Sequence, residues 1–163
     1  MASNSRFTIA VHLLTMMGWS ENQSLKSEEI AGSVNTHPVV IRRMLCELAH
    51  GQLVISQTGA GGGSRLARGP EQITLLDVYR TVESPGVFSL HRHRPNDHCP
   101  VGGNIGPVLE GVREEIDGAI EGILANITID DIICRLQRHV GQSPAKTRKS
   151  NGSKVSEPQK LLA

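Results

Sequence analysis

Apolar residues recur at helical spacing in two runs near the start of the chain. The first run covers residues 7–17 and predicts a helix that Gly18 ends, since glycine is a common helix stop. The second run follows Ser27, a favourable N-cap, and places Ile30 and Ala31 on one side. The patterns therefore predict two short helices, each with one apolar side.

A third apolar run predicts a helix whose opposite side is basic. Asn35 or Thr36 is expected to cap its start, and Gly51 is expected to end it in a left-handed conformation. Arg42 and Arg43 lie away from the apolar positions. This helix can therefore pack on a core through one face and present two arginines on the other.

A glycine-rich run separates two short strand patterns after the third helix. The strands are predicted over residues 53–57 and 65–68, and a fourth helix follows Thr74, which pairs with Asp77 in a capping-box pattern. Glycine allows positive φ angles and removes bulk, so the turn can lie close to a phosphate backbone. A helix-turn-helix with such a ribbon is a winged helix. The order predicts a mainly α fold with a small β-ribbon that binds double-stranded DNA.

A narrow apolar stripe marks the second half of the chain. Its members recur at spacings of 4, 3, 4, 3 and 4, a heptad pattern that usually packs against a partner helix. We therefore predict a long dimerisation helix and a homodimer, with a last helix capped by Thr128 and Asp131. The stripe consists of Ile105, Leu109, Val112, Ile116, Ala119 and Ile123.

These patterns divide the chain into four parts. Residues 1–83 are predicted to form the winged helix-turn-helix domain, and residues 84–104, which lack periodicity, a sensor loop. Residues 105–140 are predicted to form the dimerisation helix and the C-terminal helix. Residues 141–163 are polar and rich in lysine, which predicts a disordered tail.

The start of the third helix is the expected DNA-reading segment. In a helix-turn-helix, the N-terminal residues of the recognition helix contact base edges, while neighbouring groups bind phosphates. Arg42 and Arg43 are expected to reach guanine or phosphate. The candidate DNA-binding residues of this helix are Thr36, His37, Pro38, Val39, Arg42 and Arg43.

The loop before the long helix holds three imidazoles and one thiol, at His91, His93, His98 and Cys99. Such side chains are ligands for zinc, copper or iron. A protein without cofactor is the favoured interpretation, and a metal or an iron–sulfur cluster stays open. A third alternative is a redox or electrophile sensor at Cys99, because neighbouring arginine and histidine can lower a thiol pKa.

Composition narrows the class of protein. The formal net charge is only +1, so the case for DNA depends on local charge. Phenylalanine, tyrosine and tryptophan are too rare for a binder of single strands, which needs aromatic faces.

Three widely spaced cysteines fit a reducing cytoplasm, with Cys46 and Cys134 expected as small buried hydrophobes. The N-terminal apolar stretch is too short to span a membrane, so a soluble cytoplasmic protein is predicted.

Several sequence blocks between about residue 5 and residue 136 form a combination typical of one family. They are Arg6-Phe7-Thr8-Ile9-Ala10, Ile30-Ala31, residues 35–48, Gly61-Gly62-Gly63 with Leu66-Ala67-Arg68, residues 73–78, Cys99-Pro100-Val101-Gly102 and Asn126-Ile127-Thr128. On these blocks the chain resembles the Rrf2 family of bacterial winged-helix regulators. The resemblance implies a homodimer formed by the long helix, which binds a palindromic operator, usually as a repressor.

The chain departs from the iron–sulfur members of that family at two places. Those members have three cysteines in the loop before the dimer helix, whereas this loop has only Cys99, at the position of the last. In the wing, Thr58 and Ala60 stand where the cluster-assembly regulator has an arginine and a proline. Arg65 is left as the candidate DNA contact of the wing, through phosphate.

Catalytic and nucleotide-binding motifs are not present in the sequence. The glycine run lacks the Gly-Lys-Ser/Thr ending of a phosphate loop, and no metalloprotease motif or nucleophile motif accompanies the histidine loop. The chain is therefore not expected to be an enzyme. The alternative to a DNA-binding regulator is a protein-interaction module or a metal-binding protein that does not bind DNA.

Overall fold

The computed structural model describes residues 5–21, 23–57, 59, 62–83, 86 and 88–142. It confirms a mainly helical fold with one small antiparallel sheet. Thr58, Ala60 and Gly61 of the predicted wing turn lie outside the described residues, as do residues 143–163 of the predicted tail. The elements are α1 Arg6–Trp19, α2 Ser27–Val34, α3 Pro38–His50, β1 Val54–Gln57, β2 Gly63–Leu66, α4 Leu75–Val82, α5 Ile105–Ala125 and α6 Ile129–Gln142, with a 3-10 turn at Pro70–Gln72.

Helix α1 lies at the centre of the aliphatic core, in which Leu13, Leu14 and Met17 are completely buried. The prediction that Gly18 ends this helix is wrong, because α1 continues to Trp19. An added Cβ at Gly18 would lie 2.6 Å from Cδ1 of Ile133 in α6. Glycine at this position therefore leaves room for the Ile133 side chain where two helices approach each other, a role that local pattern does not reveal.

The caps of α2 and α3 are built differently from the prediction. Ser27 is the first residue of α2, and the preceding Lys26 is the N-cap, whose N–H donates to Oε2 of Glu29 at 2.8 Å. Asn35 ends α2 in the left-handed conformation, with φ of 57°. His37 caps α3 instead of residue 35 or 36, since its Nδ1 accepts the Val39 N–H at 3.2 Å.

Gly51 ends α3 as predicted, but not in the predicted left-handed conformation. Gly51 has a φ of −75°, so it is not a left-handed cap, and the positive φ falls on Gln52 instead. An added Cβ at Gly51 would lie 2.6 Å from Oγ1 of Thr81. This glycine therefore allows the end of α3 to approach α4.

The wing consists of β1 and β2, paired antiparallel with Val54 opposite Leu66. A backbone bridge joins it to the segment before α2, because Leu25 and Ser64 exchange two N–H···O bonds of 2.9 Å each. An added Cβ at Gly63 would lie 3.0 Å from the Leu25 carbonyl oxygen. The wing is thus attached to the helix-turn-helix by a contact that the sequence pattern did not predict.

Helices α4 and α6 begin side by side, and their predicted caps are confirmed. The Asp77 N–H donates to Oγ1 of Thr74 at 3.1 Å, and the Asp131 N–H donates to Oγ1 of Thr128 at 3.1 Å. The Leu75 N–H donates to the Ile127 carbonyl at 2.7 Å and ties the two starts together. Helix α6 continues to Gln142, two residues beyond the predicted boundary.

Helix α5 packs on α4 and leaves a long apolar side uncovered. Arg80 of α4 donates from Nη2 to Oε2 of Glu121 at 2.6 Å, in an exposed ion pair between the two helices. No residue of α5 is fully buried. None of the helices in the described part of the chain has the length and apolar character needed to cross a bilayer.

Candidate nucleic-acid interface

The outer face of α3 is open to solvent along its first two turns. Val39 and Val40 are 58% and 42% exposed, large values for apolar side chains in a helix that is otherwise well packed. His37 is exposed beside them, and Thr36 and Pro38 are half-buried. The predicted base-reading residues therefore come together at one helix end, where they can enter a DNA groove.

Arg42 follows one turn later and is held by the start of α2. Its Nη2 donates to Oε1 of Glu28 at 2.5 Å, and its Nε donates to Oγ of Ser27 at 3.2 Å. The pKa of the Glu28 carboxyl is lowered, first by its own backbone N–H and then by the Arg42 guanidinium. Glu28 is therefore a carboxylate at neutral pH, and Arg42 has two acceptors on the first turn of α2.

Arg43 points away from this pair. Its Nε lies 3.5 Å from Oε1 of Glu47, one turn further along α3, and Arg6 of α1 pairs with the same carboxylate. The Arg43 side chain is 80% exposed, and exposed ion pairs of this kind contribute little free energy. Arg43 can therefore exchange Glu47 for a phosphate at small cost.

A groove with a volume of about 790 Å³ separates α3 from the wing. Glu28 and Arg42 line one wall, and Ser56 and Gly63 of the wing line the other.

Arg65 is placed differently. It follows Ser64, which lines the groove, and successive strand residues point to opposite faces of a ribbon. The predicted wing contact is therefore not directed into the same groove as Arg42.

All three cysteines are exposed, so the expectation that Cys46 and Cys134 are buried is wrong. Cys46 lies on the outer face of α3, where it lines the groove beside Arg42. Cys134 lies on α6 with its Sγ 3.8 Å from Oδ2 of Asp130. Helical spacing did not separate these positions from the neighbouring buried ones, because each adjoins an apolar face.

The loop before α5 holds its four candidate sensor residues at the surface. His91, His93, His98 and Cys99 are all exposed. The backbone around Cys99 turns tightly, with the Gly103 N–H donating to the Cys99 carbonyl at 2.9 Å. Within this turn, the backbone N–H of Gly102, and then that of Val101, lower the pKa of the Cys99 thiol.

Comparison with known proteins decides the family. The model of the Rrf2 family, described as an iron-dependent transcriptional regulator, matches residues 3–135. The chain belongs to the Rrf2 family. It is 40% identical over 134 residues to YwnA of Bacillus subtilis, named as a candidate HTH-type transcriptional regulator, and the match covers 82% of this chain and 98% of YwnA.

Solved structures of similar fold support the same conclusion. The crystal structure of a candidate DNA-binding protein matches with a TM-score of 0.64 and 36% identity, covering 79% of this chain and 99% of the other. IscR from T. potens matches with a TM-score of 0.65 and 21% identity, over 89% and 93% of the two chains, which shows a shared fold. This Rrf2 protein is therefore a winged-helix transcription regulator.

The family description names iron, and the candidate metal donors predicted in this chain lie in the His91–Cys99 loop. Among the described residues, however, no group of three or more His, Cys, Asp or Glu side chains is placed to bind a metal ion. The donors of this loop therefore do not fit an iron site within one chain. Metal binding by this loop stays an open alternative to a protein without cofactor.

Two residues of the interface, Ser27 and Glu28, were not found from the sequence. Both belong to the first turn of α2, where acidic residues stabilise a helix by its dipole and so have an ordinary explanation. Their contact with Arg42 joins positions 14 and 15 residues apart. Such contacts depend on the angle between two helices.

Proposed function

We propose that this Rrf2 regulator is a cytoplasmic homodimer that binds a palindromic operator in double-stranded DNA and represses transcription from it. The observation that supports specific DNA binding best is the exposed start of α3, where Val39 and Val40 are open to solvent and Arg42, one turn later, lines the groove beside the wing. We assign base contacts to residues 36–39 and Arg42, and phosphate contacts to Arg43 and Arg65.

The exposed stripe of α5 supports the dimer. Val112, Ile116 and Ile123 are 42%, 36% and 63% exposed, and Val108 is 60% exposed on the same side. The predicted members Ile105 and Leu109 are half-buried, so Val108 takes their place at the start of the stripe. Four large apolar side chains exposed along one side of a helix support an interaction site there. Pairing of two α5 helices would set two recognition helices at a fixed separation, as a palindromic site requires.

Operator selection tests the proposal directly. The full chain is equilibrated with a library of random duplexes, bound DNA is sequenced, and the affinity for the enriched sequence is measured at several salt concentrations. We expect an inverted repeat with half-sites about one DNA turn apart, and an affinity that falls steeply as salt rises. Enrichment of no sequence would instead favour the protein-interaction module.

We further propose that Cys99 is the residue through which the regulator responds to a small oxidant or electrophile. Cys99 lies six residues before α5 begins, so a group added to its sulfur would disturb the start of the dimerisation helix. One solved structure of the same fold is Staphylococcus aureus CymR in an oxidized form, with a TM-score of 0.61 and 20% identity. His91, His93 and His98 are assigned to the same sensing loop.

Alkylation kinetics test the reactivity of Cys99. Its thiol pKa is lowered, so at pH values below the ordinary thiol pKa it holds more thiolate in the folded chain than in the unfolded chain. We expect iodoacetamide to modify Cys99 faster in the folded than in the denatured protein near pH 7, with the difference vanishing at high pH. Mass spectrometry of the cysteine peptides measures this, and Cys46 serves as an exposed control. Equal rates at pH 7 would refute it.

A further inference from the structure

In the described interface, Glu28 of α2 is the one carboxylate beside an arginine assigned to base reading. Its side chain faces the expected path of the DNA. Negative charge at a DNA surface is repelled by phosphate, so its presence needs a reason. The side chains of Glu28 and Arg42 are each 58% exposed, and their contact spans 14 residues of sequence. An exposed pair of this kind contributes little to folding stability, so stability is a weak reason for it.

The two contacts on Arg42 use one particular edge of its guanidinium. Nε donates to Ser27 and Nη2 donates to Glu28, and these two nitrogens form the side edge of the planar group. The end edge, made by one N–H of each Nη atom, remains for another acceptor. Two parallel N–H groups are the pattern that pairs with O6 and N7 of guanine.

We propose that Glu28 is a specificity-determining residue of the operator interface, which, together with Ser27, holds Arg42 so that its end edge reads a guanine. This inference rests on the proposed function and names a positioning residue within that site. Without the carboxylate, Arg42 is free to turn to the nearest phosphate, which carries no sequence information. Glu28 therefore lowers the affinity for DNA of any sequence and raises the discrimination between bases.

Three variants of the full chain test this role, with Glu29 as a matched control. Glu28→Ala removes the contact, Glu28→Gln keeps an oxygen acceptor but removes the charge, and Arg42→Ala identifies the base that Arg42 reads. Glu29 lies in the same helical turn, but its Oε2 accepts the Lys26 N–H. Glu29→Gln keeps that acceptor and removes one charge at the same place. Thermal melting confirms that each variant is folded.

Affinities are measured for the selected operator and for every single-base change in one half-site. Arg42→Ala should reduce discrimination about 5- to 150-fold at one base position. Glu28→Ala should reduce it at that same position, with Glu28→Gln intermediate. Glu28→Ala should also steepen the dependence of log affinity on log salt by about 0.9 per half-site, as one more phosphate contact forms. Glu28→Gln and Glu29→Gln should both raise affinity for unrelated duplex DNA, but Glu29→Gln should leave base discrimination unchanged.

The outcomes separate this inference from the proposed function. If the wild-type chain selects an operator and Glu28→Ala retains full discrimination at the Arg42 position, the role of Glu28 is refuted and specific DNA binding stands. Equal loss of discrimination in Glu28→Gln and Glu29→Gln would refute it as well, because charge alone would then be responsible. A wild-type chain that selects no sequence would overturn both the proposed function and this inference.

Discussion

Replacing Ile116 and Ile123 together by lysine is expected to dissociate the proposed dimer and to lower operator affinity by a factor of about 10² to 10⁴. Both side chains lie on the exposed apolar stripe of α5, where two ammonium groups would be buried against a partner helix. A dissociated chain contacts one half-site at a time and loses the advantage of linked binding. Analytical ultracentrifugation measures the mass of the assembly, and fluorescence anisotropy measures the affinity for DNA.

A double substitution elsewhere on the same helix is the control. Glu114 and Ala125 are exposed and lie far around α5 from Ile116, and their replacement by lysine adds even more positive charge. That variant should stay dimeric and bind DNA at least as strongly as the wild type. Because both variants become more basic, lower affinity in the first one cannot result from charge repulsion. A dimeric Ile116→Lys/Ile123→Lys protein would place the dimer interface on another surface.

Leu48→Ala is expected to lower the free energy of unfolding by about 2–5 kcal/mol. Leu48 lies on the inner side of the recognition helix α3 and is completely buried in the hydrophobic core, so truncation leaves a cavity among aliphatic side chains. Since a small domain is stable by roughly 5–15 kcal/mol, this change removes a large part of the total. Urea unfolding followed by circular dichroism measures it, at one fixed chain concentration because dimers unfold in a concentration-dependent way.

Val40→Ala on the same helix provides the comparison. The Val40 side chain is 42% exposed, so its truncation removes little buried area and should cost less than about 1 kcal/mol. It should, however, weaken operator binding if the start of α3 enters a groove. Greater destabilisation by Val40→Ala than by Leu48→Ala would mean that the inner and outer faces of α3 have been assigned the wrong way round.

Local interactions explain why much of the fold was predictable. The capping boxes of Thr74 with Asp77 and of Thr128 with Asp131 each involve residues three apart, so the pattern of residue types is sufficient to locate them. The apolar periodicity of α3 also predicted its buried face, since Ile41, Leu45 and Leu48 are all buried.

Contacts between distant segments explain the wrong predictions. Gly18 has the sequence appearance of a helix stop but lies within α1 against the Ile133 side chain, and Gly51 does end α3 but with a negative φ, against the Thr81 side chain. His37 caps α3 because the tight turn ending at Asn35 places it there, although asparagine and threonine have the higher capping preference. A preference of roughly 1 kcal/mol is easily outweighed by the geometry of two packed helices.

The sequence by itself determined the winged-helix order, the basic outer face of the recognition helix and the apolar stripe of the long helix. These features follow from periodicity and residue type along a single element. Only the tertiary structure decided that Arg42 is held by Glu28, that Leu25 joins the wing, and that Cys46 opens onto the interface groove. Each of these depends on the angle and separation of two elements, which the packing of the whole aliphatic core sets and no local pattern encodes.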